Sequence, residues 1–483
     1  MSSPLTVIVL AAGAGTRMKS RRAKVLHEIG GRSLLAHSLQ AVRGLGATRI
    51  VAVVGHQREQ VSAALAETAP DVEVVVQEEQ RGTGHAVAVA LQALPAPTPQ
   101  GPGGGTVLVT YADVPLLSTD TLTTLLLDHR GADRAVTILS ARPEDPSGYG
   151  RIVRDEDGAV LAIREHKDAD ATELAITETN SGILAVDEAF LRHAVSRLDS
   201  DNAQGELYLT DIVAKAVAEG RRVGAQVLAD HWQAEGVNDR RQLAALGAEL
   251  NWRTVVRWMD QGVTMVDPCS VWIDVGVELA PDVTVLPGTQ LLGATTVDEG
   301  ATIGPDTTLR DVRVGADASV VRTHGSDAVV GPGASVGPFA YLRPGATLGD
   351  SAKVGTFVEV KNSTLGDGAK VPHLSYVGDA DVGEGSNIGA GTIVANYDGT
   401  AKHRTVVGRH ARTGSDNVFV APVEIGDGAY TGAGTIVRED VPPGALAVTA
   451  GEQRTMEGWV QRRRPGTPSA QAVEDRGEEP AGE

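Results

Sequence analysis

Cysteine and aromatic residues are scarce in this sequence. Among 483 residues Cys269 is the only cysteine, and phenylalanine, tryptophan and tyrosine together account for 3%. A single cysteine excludes an intrachain disulfide and favours a reducing compartment. The low aromatic content predicts a core of aliphatic side chains, and the 57 glycines predict many tight turns.

Basic residues are outnumbered, and long hydrophobic runs are lacking. Lysine and arginine total 43 against 62 aspartates and glutamates, so the formal net charge is −19 at pH 7. This charge excludes a general nucleic-acid binder, which would present a basic face. The apolar run at 5–12 has no basic segment before it and is too short to cross a bilayer. We therefore expect a cytoplasmic protein without a membrane segment, divided into two or three domains.

Compact β-branched runs alternate with helical stretches in the first part of the chain. Helical stretches include 34–43, 57–66 and 84–94, and the glycine-rich 101–105 predicts a flexible loop. The strand candidates are LTVIVL, RIVAVVG, VEVVVQ, TVLVTY, AVTILS and SGILAV. This alternation predicts an α/β domain over 1–239, with a mainly parallel sheet covered on both faces.

A long amphipathic helix is expected over 240–262, linking two domains. Its apolar stripe is formed by Leu243, Leu246, Leu250 and Met259. Asp239 is the expected N-cap, and Gly262 is the expected stop.

Aliphatic residues recur every six positions after this helix. The pattern slips after the first run and resumes in shorter runs; its members are Val285, Leu291, Val297, Ile303 and Leu309, then Leu348, Val354 and Val360, then Val371 and Val377, then Val382, Ile388 and Val394. A period of six fits neither an amphipathic helix nor an alternating strand, and it predicts a parallel β-helix over 263–450. Its coils bury a core only by stacking. The polar segment 451–483, rich in proline, glycine and glutamate, predicts a disordered acidic tail.

A glycine loop follows the first strand candidate, in LAAGAGTRM at 10–18. Gly13 and Gly15 begin the dinucleotide fingerprint, but Met18 stands where its third glycine is required, and no P-loop Gly-Lys-Ser/Thr follows. Two glycines alone indicate only a turn, and a run of charges alone indicates a solvated face. Together with cations from Arg17 to Lys24, however, free backbone N–H groups are suited to phosphate.

Motifs in a fixed order identify a family. LAAGAGTRM with Lys24 resembles the signature of sugar-1-phosphate nucleotidylyltransferases. The further motifs are QEEQRGTGHA (77–86), YADVPL (111–116), GYGRIV (148–153), EHKDA (165–169), NSGI (180–183), AQGELYLTD (203–211), EGVND (235–239), RPG (343–345), VEVK (358–361), HLSYVGD (373–379), SNIGAGT (386–392), NYDG (396–399) and GSD (414–416). In this order they resemble the bifunctional bacterial enzymes that make UDP-N-acetylglucosamine for peptidoglycan and other envelope polysaccharides.

The resemblance implies a fold and an assembly. The fold is a Rossmann-like nucleotidyltransferase domain, joined by a long helix to a left-handed parallel β-helix of hexapeptide repeats. The assembly is a homotrimer with acetyl-transfer sites between neighbouring subunits, so that Lys402 is expected to serve an adjacent chain. The implied partners are otherwise small molecules: UTP, sugar 1-phosphates and acetyl-CoA.

The resemblance places a uridylyl-transfer site in the α/β domain. Arg17 and Lys24 would hold the triphosphate, and Asp113 and Asn238 would bind Mg²⁺, because carboxylate and amide oxygens suit a hard cation. Gln77, Gly82 and Thr83 would read the uracil, and Gly150, Glu165, Asn180 and Thr210 would seat the sugar. The nucleotide pocket also includes Leu10, Ala11, Ala12, Gly13, Tyr111 and Ala112.

Two details qualify this site. Taken alone, Asp113 is a turn aspartate before Pro115. Ala112 stands where relatives often carry glycine, and its methyl group is expected to crowd the nucleotide.

The resemblance places an acetyl-transfer site in the β-helix. His373 would take a proton from the amine of glucosamine 1-phosphate, a role suited to the histidine reference pKa of about 6.5. Glu359 would orient the imidazole. The sugar phosphate would be bound by Arg343, Lys361, Tyr376, Asn387 and Lys402, and acetyl-CoA by Ala390, Asn396, Tyr397, Ser415 and Ala433.

Direct attack on the thioester is expected, because Cys269 lies outside every motif. Ala450 departs from an arginine that many relatives carry at the CoA site, and Arg454 is the nearest substitute.

Three hypotheses follow. The first is the bifunctional enzyme, which acetylates glucosamine 1-phosphate and then uridylylates the product. The second is a sugar nucleotidylyltransferase whose β-helix serves regulation or assembly, and it predicts no acetyl transfer. The third is a non-catalytic scaffold, which has no need of Arg17, Lys24 and Asp113 together. Because both the cationic and the histidine constellations are complete, the sequence favours the first.

Overall fold

The computed structural model describes residues 4–95, 105–449 and 451–477, and the chain forms two compact units, Met1–Arg313 and Val314–Glu483. The first unit contains the α/β domain, a long helix and the first coils of the β-helix. The second contains later coils and the C-terminal segment. The unit boundary thus lies inside the β-helix and not at the predicted linker helix. The predicted loop at 101–105 falls outside the described residues, except for Gly105.

A mixed sheet forms the centre of the α/β domain. In spatial order its main strands are Val223–Val227, Val136–Ala141, Thr179–Asp187, Thr106–Tyr111, Leu5–Ala11, Arg49–Val54 and Glu73–Val76. Thr179–Asp187 runs antiparallel to both neighbours, and the other main strands pair in parallel. All six strand candidates are confirmed.

Two short hairpins accompany the sheet. Arg151–Arg154 pairs antiparallel with Val160–Arg164 and joins the edge of Thr179–Asp187. Glu28–Ile29 pairs with Arg32–Ser33. These strands and Val223–Val227 are absent from the sequence prediction.

Helices cover both faces of the sheet. The strand Leu5–Ala11 sends Val7 and Val9 into one buried cluster and Ile8 and Leu10 into another, which confirms a doubly covered sheet. The α-helices are Leu34–Arg43, Arg58–Thr68, Thr83–Ala93, Thr119–Gly131, Ala171–Leu174, Glu188–Val195 and Asp211–Ala218. Short 3₁₀ turns occur at Thr16–Met18, Lys24–Leu26, His231–Ala234 and Pro268–Ser270.

The predicted long helix is observed as Arg240–Asp260. Asp239 caps it by accepting hydrogen bonds from the N–H groups of Arg241 and Gln242, at 2.9 and 3.0 Å. Asn251 fixes the helix to the first coil of the β-helix, donating to the Val271 carbonyl oxygen and accepting from the Ile273 N–H. These bonds explain why the first coils belong to the same compact unit as the helix.

The β-helix coils of the first unit consist of short parallel strands. Trp272 pairs with Gln290, and Gln290 with Thr308, so that each coil advances the chain by 18 residues, three hexapeptides. The strands are Thr264–Met265, Trp272–Ile273, Glu278–Leu279, Thr284–Val285, Gln290–Leu292, Thr296–Val297, Thr302–Ile303 and Thr308–Arg310, and Arg313–Val314 lies at the unit boundary.

The second unit continues the same construction. Its strands are Ser319–Val320, His324–Ser326, Val329–Val330, Ser335–Val336, Tyr341–Leu342, Thr347–Leu348, Lys353–Thr356, Glu359–Lys361, Thr364–Leu365, Lys370–His373, Tyr376–Gly378, Ala380–Val382, Ile393–Ala395, Thr405–Val407, Val418–Val420, Val423–Ile425, Tyr430–Thr431, Ile436–Val437 and Leu446–Ala447. All the aliphatic repeat residues named above are buried. Where the sequence period slips, Val320, Gly325 and Val330 are spaced by five residues and still face inward.

The C-terminal segment contains helices at Trp459–Arg463 and Pro468–Gly477. This differs from the disorder predicted for 451–483, since a polar composition excludes a large core but not a short helix. Positions 478–483 and Ala450 lie outside the described residues.

Candidate functional site

The loop after the first strand folds back so that Lys24 lies beside its beginning. Gly15 is in the left-handed region (φ 59°), and a Cβ atom on it would lie 2.7 Å from the Cβ of Lys24. Glycine at this position therefore permits the close approach of Lys24. A Cβ on Gly13, by contrast, would meet no atom within 4 Å. The space beside Gly13 is open to a ligand.

Lys24 contacts both residues that the sequence predicts as magnesium ligands. Its Nζ forms an ion pair with the Asp113 carboxylate and lies 3.3 Å from Asn238 Oδ1. Asp113 follows the strand Thr106–Tyr111, and the Val237 N–H donates to the Asp113 carbonyl oxygen at 2.9 Å. The backbone therefore holds Asn238 against Asp113 at the carboxyl end of a parallel strand, where α/β sheets bind ligands.

A cavity of about 420 Å³ includes this group. The predicted residues that line it are Leu10, Ala11, Ala12, Gly13, Lys24, Gln77, Gly82, Thr83, Tyr111, Asp113 and Asn238. Its further lining residues, which the prediction missed, are Ala14, Val25, Gln80, Ala86 and Glu206. Gln80 and Glu206 belong to the quoted motifs, so a signal was present. The side-chain amide of Gln80 donates to the Ala12 carbonyl oxygen at 2.9 Å and supports the glycine loop.

The residues predicted to read uracil lie at the start of the helix Thr83–Ala93. Gly82 precedes this helix with φ 102°, and a Cβ on it would lie 2.7 Å from the Leu207 carbonyl oxygen. Gln77 donates from Nε2 to the Gly82 carbonyl oxygen at 3.2 Å, and the Thr83 hydroxyl accepts the Leu209 N–H at 3.2 Å. These bonds fix the side chains at the cavity wall.

The residues predicted to seat the sugar are joined by hydrogen bonds. The Thr210 hydroxyl donates to Glu165 Oε1 at 3.0 Å, and the Asn180 N–H donates to the Gly150 carbonyl oxygen at 2.8 Å. Burial raises the pKa of Glu165 even though the bond from Thr210 favours the ionised form. A Cβ on Gly150 would lie 3.6 Å from Glu165 Cδ, so these two residues are also close together.

Tyr111 interacts with both sets of predicted residues, those that would seat the sugar and those that would bind magnesium. Burial raises the pKa of its phenol, and the carboxylates of Glu165 and Asp113 add to the rise. A Cβ on Gly182 would lie 2.4 Å from Tyr111 Cε2, so the ring packs directly on glycine backbone. The two predicted groups therefore belong to one site.

The expected crowding by Ala112 is wrong. Ala112 is fully buried and packs into the core cluster that contains Leu108 and Leu35, while Tyr111 and Asp113 on either side line the cavity. Its methyl group therefore points into the protein interior. Arg17 is exposed, and the described residues provide no ion-pair partner for it.

The second predicted site lies on outward side chains of the β-helix. Glu359 pairs in register with Tyr376, and Lys361 with Gly378, on adjacent parallel strands. The residues between them are buried valines, so the flanking side chains point outward. A Cβ on Gly378 would lie 2.3 Å from Tyr376 Oη, so glycine makes room for the phenol.

A buried carboxylate that the prediction missed lies beside Lys361. Asp379 is 7% exposed, and its Oδ2 is 3.8 Å from Lys361 Nζ. Its side chain also accepts hydrogen bonds from Asn362 and Asn396. Asp379 ends the HLSYVGD motif, so the sequence carried a signal in the form of an acidic residue inside a quoted motif.

Glu359 and His373 are not hydrogen-bonded to each other in the described part of the chain, and the orienting role of Glu359 stays a prediction. Glu359 Oε1 accepts from Arg343 Nη1 at 2.8 Å, whereas His373 is exposed and forms no hydrogen bond with Glu359 in the described part of the chain. The two residues occupy different sides of the coil, because His373 pairs with Thr356 before a corner and Glu359 pairs with Tyr376 after it.

A loop between Ile393–Ala395 and Thr405–Val407 carries Lys402. Asp398 orders the loop: its carboxylate accepts the N–H groups of Thr400 and Ala401, both at 2.7 Å, and lies 2.7 Å from His403 Nε2. Tyr397 forms an antiparallel bridge with Lys402. The Lys361 ammonium lies close enough to lower the pKa of Lys402. Lys402 therefore approaches the sugar-phosphate residues of its own chain.

The residues predicted to bind acetyl-CoA follow one edge of the coils. The Asp416 N–H donates to the Ala390 carbonyl oxygen at 2.7 Å, and the Gly434 N–H donates to the Ser415 carbonyl oxygen at 2.8 Å. Ala390, Ser415 and Ala433 thus occupy successive coils at the same edge. Asn387 bridges Lys370 and Arg412 nearby.

Residues 4–95, 105–449 and 451–477 contain neither a cluster of metal-binding side chains nor a membrane-spanning helix. Within these ranges no group of three histidine, cysteine, aspartate or glutamate residues is placed to hold a metal ion. Every helix there is too short or too polar to span a bilayer.

Comparisons with known proteins identify the family. Residues 7–205 match the model of the MobA-like NTP transferase domain. The bifunctional protein GlmU of Rhodococcus opacus is 58% identical over 474 residues, which cover 97% of this chain and 94% of that protein. Those of Corynebacterium jeikeium and Kineococcus radiotolerans are 57% and 56% identical, with 97% and 99% of this chain and 96% of each relative covered.

The chain belongs to the GlmU family. The family indicated by the motifs is therefore confirmed, and so is the fold class, an α/β nucleotidyltransferase domain followed by a β-helix. As a GlmU, the chain is a bifunctional uridylyltransferase and acetyltransferase of UDP-N-acetylglucosamine synthesis, with a role in cell-wall formation.

Proposed function

We propose that the α/β cavity is the uridylyl-transfer site and that the residues around Lys361 and His373 form the acetyl-transfer site. The observation that carries the first assignment is Lys24, whose Nζ lies between the side-chain oxygens of Asp113 and Asn238. The N-acetyl product of the second site is the sugar phosphate consumed at the first. The reactions take place in the cytoplasm.

Uridylyl transfer joins a sugar-phosphate oxygen to the α-phosphorus of UTP and expels pyrophosphate. Every reactant is an anion, so the protein must neutralise charge and align the two substrates. Lys24 lines the cavity beside the open space at Gly13 and is placed to meet the triphosphate. Arg17, exposed beside the same loop, is free to reach the pyrophosphate portion.

Asp113 and Asn238 fit a magnesium ion. Both present oxygen atoms to the same ammonium group, and oxygen is the donor that this cation prefers. When bound, the ion supplies positive charge to the triphosphate oxygens. Because two protein ligands do not complete its coordination, phosphate oxygens and water supply the rest.

The cavity wall sets the substrate choice. Gln77, Gly82 and Thr83 present amide, backbone and hydroxyl groups to the uracil edge. Gly150, Glu165, Asn180 and Thr210 form the hydrogen-bonded group that seats the N-acetylated sugar. The glycine at 150 permits the close packing of Ile163 and Glu165, since a Cβ there would lie 3.0 Å from Ile163 Cγ2.

Acetyl transfer requires loss of a proton from the amine of glucosamine 1-phosphate. His373 is exposed and takes this proton as general base, after which the amine nitrogen attacks the thioester carbon and CoA thiolate leaves. Arg343, Lys361, Tyr376, Asn387 and Lys402 bind the sugar phosphate. Ala390, Ser415 and Ala433 at one edge of the coils, with Asn396 and Tyr397 from the loop that carries Lys402, bind acetyl-CoA. Assembly as a homotrimer would enclose the exposed His373.

Paired substitutions test both assignments on one preparation. We expect Arg17→Ala to reduce pyrophosphate release from UTP at least about a hundredfold, the loss typical of a removed transition-state contact, and to leave CoA release unchanged. His373→Ala should do the reverse. Arg21→Ala is the matched control, because it removes one exposed charge from the same basic cluster.

Other outcomes would distinguish the hypotheses. A nucleotidylyltransferase with a structural β-helix would release no thiol from acetyl-CoA even in the unsubstituted protein. A scaffold would release neither product. Loss of both activities in either folded variant would refute the two-site assignment.

A further inference from the structure

We propose that Asp379 is a positioning residue of the acetyl-transfer site, whose carboxylate holds Lys361, Lys402 and Asn396 in the arrangement that binds the sugar phosphate. This inference rests on the proposed function of the same cluster. It adds a residue that does not touch the substrate and acts through those that do.

The contacts of Asp379 support this role. Asn362 Nδ2 donates to its Oδ1 at 2.6 Å, Asn396 Nδ2 donates to its Oδ2, and Lys361 Nζ lies 3.8 Å from Oδ2. Asn396 Nδ2 is also 3.5 Å from the Tyr376 hydroxyl. A single buried carboxylate therefore links residues from two adjacent coils and from the loop that carries Lys402.

The charge balance explains why a carboxylate is needed. The ammonium groups of Lys361 and Lys402 are close, and Lys361 lowers the pKa of Lys402, whereas Asp379 acts to raise it. Burial alone would raise the pKa of Asp379, but the bonds from Asn362 and Asn396 and the charges of Lys361 and Lys402 hold it below its ordinary value. These contacts thus favour the ionised form of Asp379, and its charge in turn favours the protonated form of Lys402.

Other charged groups around Asp379 do not replace it. Arg404 forms its own ion pair with Asp381, and Arg343 forms one with Glu359. Tyr376 acts on Lys402 in the same direction as Asp379, but its phenol is neutral near pH 7. Without Asp379, two like charges would face each other with no counter-charge, and the more exposed Lys402 would lose its proton at lower pH.

The backbone conformation at residue 379 is compatible with asparagine. Asp379 has φ 52°, in the left-handed region that asparagine adopts as readily as aspartate. Its N–H donates to the Lys361 carbonyl oxygen at 3.0 Å, and its own carbonyl oxygen accepts the Thr405 N–H at 3.1 Å. Asp379→Asn retains this backbone geometry, removes the charge and replaces one acceptor oxygen by an NH2 group, so that it also loses one of the hydrogen bonds from Asn362 and Asn396. Asp327 is exposed and also left-handed (φ 47°), so Asp327→Asn is the matched control.

The experiment measures CoA release against glucosamine 1-phosphate concentration from pH 7 to 9. We expect Asp379→Asn to raise KM for the sugar phosphate about tenfold, the loss typical of a removed charge-assisted contact, with a much smaller change in kcat. The rise should grow with pH, because Lys402 then deprotonates earlier than in the unsubstituted protein. Uridylyl transfer and the Asp327→Asn variant should be unaffected.

A merely structural role predicts something different: a lower melting temperature with unchanged KM and an unchanged pH profile, and that result would overturn the proposal.

If Asp379→Asn does not fold, Asn362→Gly decides, since glycine accepts the left-handed φ of 44° and the change removes one bond to the same carboxylate. It should raise KM in the same direction, and an unchanged KM would count against the proposal. Retention of CoA release by His373→Ala would instead refute the proposed function itself.

Discussion

At the scale of single residues, Lys24 and the proposed magnesium ion compete for one carboxylate, that of Asp113. Lys24 forms an ion pair with Asp113, which is also a proposed magnesium ligand. Both side chains are largely buried, so their attraction is weakly screened. UTP phosphates would draw the ammonium away and leave Asp113 available to the cation.

This competition predicts the direction in which the loss of Lys24 changes the affinity for Mg²⁺. We expect Lys24→Met to bind Mg²⁺ more tightly than the unsubstituted protein when no nucleotide is present, by about tenfold, because a nearby positive charge is removed. Uridylyl transfer should nevertheless fall steeply. Isothermal titration with MgCl₂ measures the affinity, and Asp113→Asn in the same background should abolish the gain. Equal affinities in Lys24→Met and the unsubstituted chain would contradict the competition.

Residue identities were more predictable than residue contacts. The motifs contain Lys24, Asp113, Asn238, Gln77 and Thr83, and the structure brings these five residues together at one cavity. The inward orientation of Ala112 and the pairing of Glu359 with Arg343 depend on which side of a strand or corner each side chain occupies. A motif does not encode that information.

At the scale of elements, a hairpin positions two of the four residues proposed to seat the sugar. Gly150 precedes the strand Arg151–Arg154, and Glu165 follows the strand Val160–Arg164. Arg154 fastens this hairpin to the central sheet, since its guanidinium contacts Glu178 at 2.7 and 3.0 Å. Glu178 also accepts from the Ser140 hydroxyl at 2.7 Å and is 5% exposed.

Removing the arginine should loosen the hairpin. We expect Arg154→Met to lower the free energy of unfolding by about 2–4 kcal/mol, because it leaves the buried Glu178 carboxylate with only the exposed Arg142, 3.9 Å away, as an ion-pair partner. Hydrogen exchange in Thr179–Asp187 and Arg151–Arg154 measures the local opening. Arg222→Met, which removes an exposed pair with Asp133, is the control and should change little.

The pH dependence has a definite direction. Burial would raise the pKa of Glu178, but the bonds from Arg154 and Ser140 outweigh it and hold the pKa below its ordinary value. The stabilisation is therefore present above the unfolded-state pKa and is lost as pH falls through the folded-state value. The difference between Arg154→Met and the unsubstituted protein should shrink on acidification. A difference that is constant down to about pH 3 would exclude this origin.

Elements whose sequence has a strong hydrophobic period were predicted, and short strands without such a period were missed. The helix Arg240–Asp260 and the hexapeptide strands repeat one pattern over many residues. Arg151–Arg154 and Val160–Arg164 are short, half-exposed strands with charged ends, and tertiary pairing rather than local preference forms them. The five-residue steps at Val320, Gly325 and Val330 broke the period, although the strands persist.

At the scale of the whole molecule, two sites of different chemistry share one acidic chain. The net charge of −19 repels anionic substrates, so each site must assemble its own cations. The uridylyl site pairs its lysine with oxygen donors for magnesium. The proposed acetyl site places Arg343 and Lys361 beside the carboxylates of Glu359 and Asp379, with His373 on another side of the coil.

Chelation should separate the two activities. We expect excess EDTA to stop pyrophosphate release and leave thiol release from acetyl-CoA intact, because the proposed acetyl-transfer steps use only protein groups. Both products are measured on the same preparation, and added MgCl₂ should restore the first activity. Simultaneous loss of thiol release would place a metal in the second site as well.

The loop between Ile393–Ala395 and Thr405–Val407 leaves the β-helix and returns to it without interrupting the stacking. Thr405–Val407 still pairs with Ala380–Val382, as though the intervening residues were not there. The aliphatic interior thus accommodates this detour at the corner. The segment that carries Lys402 is an addition to the surface of an uninterrupted stack, so changes within it would alter the surroundings of Lys402 and leave the paired strands in place.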